Sequence, residues 1–283
     1  MHNLSTKLYF FIILFLCFQI TQGQTQFVKS VDEVEVAYTV SGYSETALIF
    51  IHGWSCNKSY WSSQINTFND KYKVITIDLA GHGESGLERE NYTVELFGED
   101  VAAVVNNLEL NKVILIGHSM GGSVIIEAAK RLDGRVIGLI GVDTYQSFTD
   151  DWTPEQKEGF LHSFNENFVN STIEFVKSMF PPDADQILLE KISQDMSQAP
   201  PRVATSAMRN LFYYNPIPSL KEIDLPIISI NCDLYPVNIE ENKKHVKSFE
   251  VKMMKGVGHF IMLERPEEFN SLLSEAVDKL LSK

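Results

Sequence analysis

The chain has 283 residues, 44% hydrophobic and 22% charged, with a formal net charge of −13. These are ordinary globular values, long enough for one sizeable core or one core with an insertion. The acidity argues against nucleic acid or an anionic membrane surface as a partner.

In chain order, the first segment reads as a targeting signal rather than part of a fold. Lys7 precedes an apolar run from Leu8 to Phe18, and the polar Thr21-Gln22-Gly23 follows. This pattern predicts a secretory signal over residues 1–23, cleaved after Gly23, and an exported protein, periplasmic or secreted. The alternative is an uncleaved N-terminal anchor, for which the run is short. Removing the signal leaves two cysteines, Cys56 and Cys232. They follow different strands, so two free thiols are expected rather than a disulfide.

Residues 27–31 and 34–40 alternate like a half-exposed hairpin. Ala47-Leu48-Ile49-Phe50-Ile51 is apolar throughout, as a buried parallel strand would be, and ends in His52-Gly53-Trp54-Ser55. Residues 58–68 have helical spacing. Val74-Ile75-Thr76-Ile77 is the next strand, closed by Asp78 and then Gly81-His82-Gly83-Glu84-Ser85. Thr93 can cap a helix through Leu108, with Val94, Phe97, Val101, Val104 and Val105 on one face. The strand Val113-Ile114-Leu115-Ile116 runs into Gly117-His118-Ser119-Met120-Gly121 and then a helix over residues 123–130. A further strand over residues 136–142 ends at Asp143.

Residues 146–218 break the strand–helix alternation. They carry helical pieces, three proline-containing breaks, and Phe160, Phe164 and Phe168 at four-residue intervals. The expectation is an inserted helical cap whose aromatics mostly form its own core, with some facing the site. The alternation then resumes with a strand over residues 226–231, a helix over 240–246, a strand over 249–254 and a terminal helix over 267–281. Gly256-Val257-Gly258-His259-Phe260 lies between the last two. Apolar strands alternating with helices predict a mostly parallel sheet with helices on both faces. The predicted core is residues 24–145 with 219–283, and the cap is 146–218. His52, Asp78, Gly117 and Asp143 all fall at carboxyl ends of strands, where such sheets bind ligands.

Strand, Gly-x-Ser-x-Gly and helix together form a nucleophile elbow. The turn strains the Ser119 backbone and lifts its hydroxyl above the sheet. It also sets the Met120 amide at a helix N-terminus, where a developing oxyanion is stabilised. A serine hydroxyl needs a base within hydrogen-bond reach. His259 is the best placed of the seven histidines, in a glycine-flanked loop after the last strand and in the chain order this elbow requires. His52 and His82 precede the nucleophile and are read as loop braces. His118 points away from the Ser119 side chain. No metal cluster or nucleotide-binding loop is visible, so no cofactor is expected.

These motifs together resemble the α/β-hydrolase superfamily, from His52-Gly53-Trp54 through Gly81-His82-Gly83 and the elbow to Gly258-His259-Phe260 and Glu264-Arg265-Pro266. The resemblance implies the α/β-hydrolase fold with a Ser-His-Asp triad, and an oxyanion hole from the amides of Trp54 and Met120. The usual family position of the acid is the loop after the strand at 227–231, where Asp233 stands about two residues early. Asp143 instead resembles a subgroup related to haloalkane dehalogenases and certain luciferases, whose acid follows the preceding strand. Both acids remain candidates at this level, with the register favouring Asp143.

The implied function is a serine hydrolase. It cleaves an ester-type bond of a small, largely apolar substrate through an acyl-enzyme. The alternatives are a C–C bond hydrolase or lactonase of the same fold, or a ligand-binding receptor with slow turnover. Ser119 at the elbow disfavours dehalogenase and epoxide hydrolase chemistry, which uses Asp there. The sequence leaves the oligomeric state open.

Overall fold

The computed structural model describes residues 23–132, 134–149 and 152–282. The expected signal falls outside these residues apart from Gly23. Eight strands form one sheet in the order β1-β2-β4-β3-β5-β6-β7-β8. They are β1 (Gln26–Lys29), β2 (Glu35–Ser41), β3 (Ala47–Ile51), β4 (Lys73–Ile77), β5 (Val113–His118), β6 (Val136–Val142), β7 (Ile227–Cys232) and β8 (Phe249–Met254). Only β2 runs against the others, pairing antiparallel with both β1 and β4. The remaining pairs are parallel. Every residue of β3 and β5 is buried, which accounts for their unbroken apolar sequences.

Helices α1 (Ser62–Phe68), α2 (Val94–Asn107) and α3 (Met120–Arg131) flank the sheet. Thr93 caps α2 as expected, accepting from Leu96 N at 3.2 Å. The segment read as one helix over 58–68 divides into a 3-10 turn, Lys58–Trp61, and α1. Its start is fixed by side chains: Asn57 Oδ1 accepts from Ser59 N, and Asp78 Oδ1 accepts from Lys58 N.

Between β6 and β7 lie α4 (Pro154–Glu166), α5 (Phe168–Ser178), α6 (Gln186–Ser197), α7 (Pro201–Tyr213) and α8 (Ile217–Glu222). A capping box of Thr153 and Gln156 starts α4. Asn167 ends α4 and caps α5, folding them into a hairpin. The Arg209 guanidinium binds both Glu158 oxygens and so joins α7 to α4. α8 returns the chain to the core, where Ser219 Oγ donates to the buried Glu127 carboxylate of α3 at 2.5 Å. After β7 come α9 (Ile239–Asn242), α10 (Ile261–Glu264) and α11 (Pro266–Leu281). α9 is a single turn, shorter than the sequence pattern suggests. The buried Asn242 ends it by turning inward to hold the loop after β6, donating to Tyr145 O and accepting from Phe148 N.

Candidate active site

Ser119 stands between β5 and α3 with φ 53° and ψ −118°. A non-glycine residue adopts this conformation only where its surroundings over-determine it. Here they do: Ser119 N donates to Val142 O, and Gly122 N donates to Ser119 O. The glycines permit the close approach. A methyl on Gly117 would lie 2.2 Å from Gly121 O, and one on Gly121 would lie 2.6 Å from Ile51 O. The turn leaves the Met120 amide at the open N-terminus of α3, where no carbonyl of the helix accepts from it. The loop after β3 runs directly beside it, since a methyl on Gly53 would lie 3.2 Å from Ser119 Cβ.

The structure brings Asp143 and His259 together. Asp143 is buried at the end of β6 with φ 42°, a second strained residue. Its Oδ2 accepts from His259 Nδ1 at 2.5 Å, and its Oδ1 accepts from Cys232 N at 2.9 Å. Holding both oxygens fixes the carboxylate plane against the imidazole. The strained stretch is locked from beneath. Asn231 Nδ2 and Ser229 Oγ both donate to Thr144 O at 2.9 Å, and the Tyr145 hydroxyl donates to Gly122 O.

Asp233 lies elsewhere. Its Oδ1 accepts from Gly256 N at 2.9 Å, bracing the loop after β8. Ser119 Oγ makes no hydrogen bond to His259 here. Such contacts often tighten only in the substrate complex.

Three histidines that flank the site are buried and neutral. Burial pushes His52 down to about 4. Its Nδ1–H donates to Gly53 O at 2.7 Å and its Nε2 accepts from Leu79 N at 3.1 Å, so the neutral ring ties two loops together. Burial pushes His82 down to about 3 and His118 well below its ordinary value. The two cysteines are free and buried, and burial raises both thiols, Cys232 to about 12. Neither supplies the thiolate that competing cysteine chemistry needs, which leaves Ser119 as the nucleophile candidate at this sheet edge. Among the described residues, no group of three or more His, Cys, Asp or Glu could hold a metal ion.

Above the site, the Trp54 indole donates to Ala204 O of α7 at 2.7 Å. Its ring meets Phe164, Phe168 and Phe175 edge-on at 5.5, 6.2 and 6.0 Å. Phe160 packs on Phe164, Phe175 and Phe212. The aromatics of α4 and α5 therefore form one cluster that rests on the loop expected to supply an oxyanion donor. A cavity of about 590 Å³ opens to one side, lined by Ser123, Ser147, Phe148 and Tyr214; neither Ser119 nor His259 lines it.

Sequence reasoning missed Glu264, Asn242 and the Ser229–Asn231 pair as supports. The Glu264-Arg265-Pro266 match covers the first of them, and the end of the strand at 227–231 covers Asn231; neither pattern carries a role for the side chain.

An elbow with a strained serine at the carboxyl edge of such a sheet defines a class, and the chain belongs to the alpha/beta hydrolase family, whose model matches residues 48–272. It is 26% identical over 254 residues to 3-oxoadipate enol-lactonase 2 of Acinetobacter baylyi, covering 87% of this chain and 94% of that protein. Its fold matches an esterase of Exiguobacterium antarcticum at TM-score 0.81 and 19% identity, over 90% of this chain and 100% of that one. It also matches the enol-lactonase of Burkholderia xenovorans at TM-score 0.78 and 17% identity, over 91% and 100%.

Proposed function

We propose that the protein is a serine hydrolase that cleaves ester-type bonds of small, largely apolar substrates through an acyl-enzyme. The observation that carries this reading is Asp143 Oδ2 at 2.5 Å from His259 Nδ1, beside a serine in the strained elbow conformation. Asp143 holds the imidazole with its proton on Nδ1, leaving Nε2 unprotonated as a base. His259 Nε2 takes the Ser119 hydroxyl proton as Oγ attacks the substrate carbonyl carbon. The carbonyl oxygen becomes an oxyanion held by the Trp54 and Met120 amides. Collapse breaks the bond to the leaving alcohol, which takes the proton from His259. Water, deprotonated by the same His259, then attacks the acyl carbon and releases the acid and free Ser119. The Trp54–Phe164–Phe168–Phe175 cluster packs on the loop that carries the Trp54 amide, and its apolar character supports the choice of apolar acyl groups.

A lactone is a cyclic ester and runs through the same steps, and the similarity to enol-lactonases favours this second reading. We also read the protein as exported, on the pattern of residues 1–23.

The test is turnover of p-nitrophenyl acetate and butyrate beside proton release from simple lactones. Steady release from either set, abolished in Ser119→Ala, is the expected result. A single stoichiometric burst with no turnover would favour a receptor, and full activity in Ser119→Ala would contradict the mechanism.

A further inference from the structure

The His259 loop poses a mechanical problem. It contains Gly256 and Gly258, and such a stretch samples many conformations when nothing restrains it. A general base must nevertheless be held to a fraction of an ångström.

The restraint comes from Glu264, at the end of α10. Its Oε2 accepts from Gly258 N at 2.8 Å and its Oε1 accepts from Phe260 N at 3.1 Å. These are the amides on either side of His259. The amide and carbonyl of His259 itself are also engaged. His259 N donates to Met179 O at 2.9 Å, and His118 Nε2 donates to His259 O at 3.0 Å. Of these four restraints, only the Glu264 pair depends on one side chain with two acceptors. Both its oxygens face N–H groups, so only a carboxylate fits. Glutamine has the same shape but would turn an NH2 group against one amide, leaving two donors face to face.

We infer that Glu264 is a positioning residue for His259, fixing the base by clamping its two flanking amides. The inference rests on the serine-hydrolase reading above.

The experiment compares wild type, Glu264→Gln and Glu264→Asp. Thermal unfolding checks folding, a fluorophosphonate titrates competent sites, and p-nitrophenyl butyrate gives kcat per titrated site and KM. Misplacing a base by about 1 Å costs up to ~100-fold. Folded Glu264→Gln should therefore lose about 10–100-fold in kcat, with KM within about threefold of wild type. Glu264→Asp keeps the charge on a shorter arm and should fall between the two.

A folded Glu264→Gln, or a folded Glu264→Asp if the Gln variant does not fold, with wild-type kcat overturns the assignment. So does a change in KM alone. Failure of both variants to fold would assign Glu264 to stability and overturn it as well. Wild-type protein that neither titrates nor turns over sinks the triad reading itself, a result distinct from active wild type with indifferent Glu264 variants.

Discussion

At the scale of single residues, the proposed mechanism turns on which carboxylate serves His259. Asp143 has one oxygen on the imidazole and the other on the Cys232 amide, whereas Asp233 spends an oxygen on Gly256. Losing a triad acid costs about 10³–10⁴ in kcat because the imidazole tautomer is no longer held. Asp143→Asn should therefore lose at least ~100-fold more kcat than Asp233→Asn, once both are shown to be folded. Steady-state kinetics on a chromogenic ester decides between them, and the reverse ranking would return the acid to the usual family position.

The sequence narrowed the acid to these two residues and no further. Both lie past carboxyl ends of neighbouring strands, and the choice depends on loop geometry that local pattern does not encode. Ser119 and His259 stand out as candidates more readily, because glycines spaced for close backbone approach flank both. The hydrogen bonds Glu264 accepts come from backbone amides, which leaves almost no compositional trace.

At the scale of elements, the β5–α3 junction is legible because its sequence must satisfy several demands at once. The strand must be apolar on both faces, the turn needs small residues, and the helix must bring its N-terminus up to Ser119. Gly121 shows how little room remains: an added methyl would meet Ile51 O at 2.6 Å and His52 O at 2.8 Å. Backbone atoms cannot move aside as a flexible side chain can, so Gly121→Ala should displace the start of α3. We expect a loss of about 1–3 kcal/mol in urea-melt stability, with a larger loss of activity than stability alone explains. Wild-type stability and activity in this variant would contradict the packing described here.

Where the sequence reading was coarse, the deciding contacts are long-range. The 3-10 turn at Lys58–Trp61 is set partly by Asp78, twenty residues on. The single turn of α9 is set by Asn242 reaching back to Tyr145 and Phe148. Helical periodicity carries no record of either. Phe160, Phe164 and Phe168 are legible as a helix face, but the packing of Phe164 and Phe168 onto Trp54 depends on tertiary placement.

For the whole molecule, the three buried neutral histidines predict how stability follows pH. In the unfolded chain a histidine takes up its proton near pH 6.5, whereas His52 resists until about 4 and His82 until about 3. Below 6.5 the unfolded state therefore binds more protons than the folded one. Stability is full above that pH and declines as pH falls toward 4. Each such histidine contributes a slope of about 1.4 kcal/mol per pH unit. Urea melts at pH 7 and pH 5 should show a clear fall at pH 5, and stability equal or higher at pH 5 would contradict the neutral assignment. His52 is also the ring that joins the Gly53 and Leu79 loops, so its protonation would loosen the floor of the site along with the fold.

The proposed nucleophile is read out by intact-protein and peptide mass spectrometry after treatment with a fluorophosphonate, alone and in competition with p-nitrophenyl butyrate. The expected result is a single adduct mapped to Ser119, slowed by the ester and strongly reduced in His259→Ala and Asp143→Asn. An unlabelled Ser119 in folded, wild-type protein, or an adduct on another residue, would contradict it.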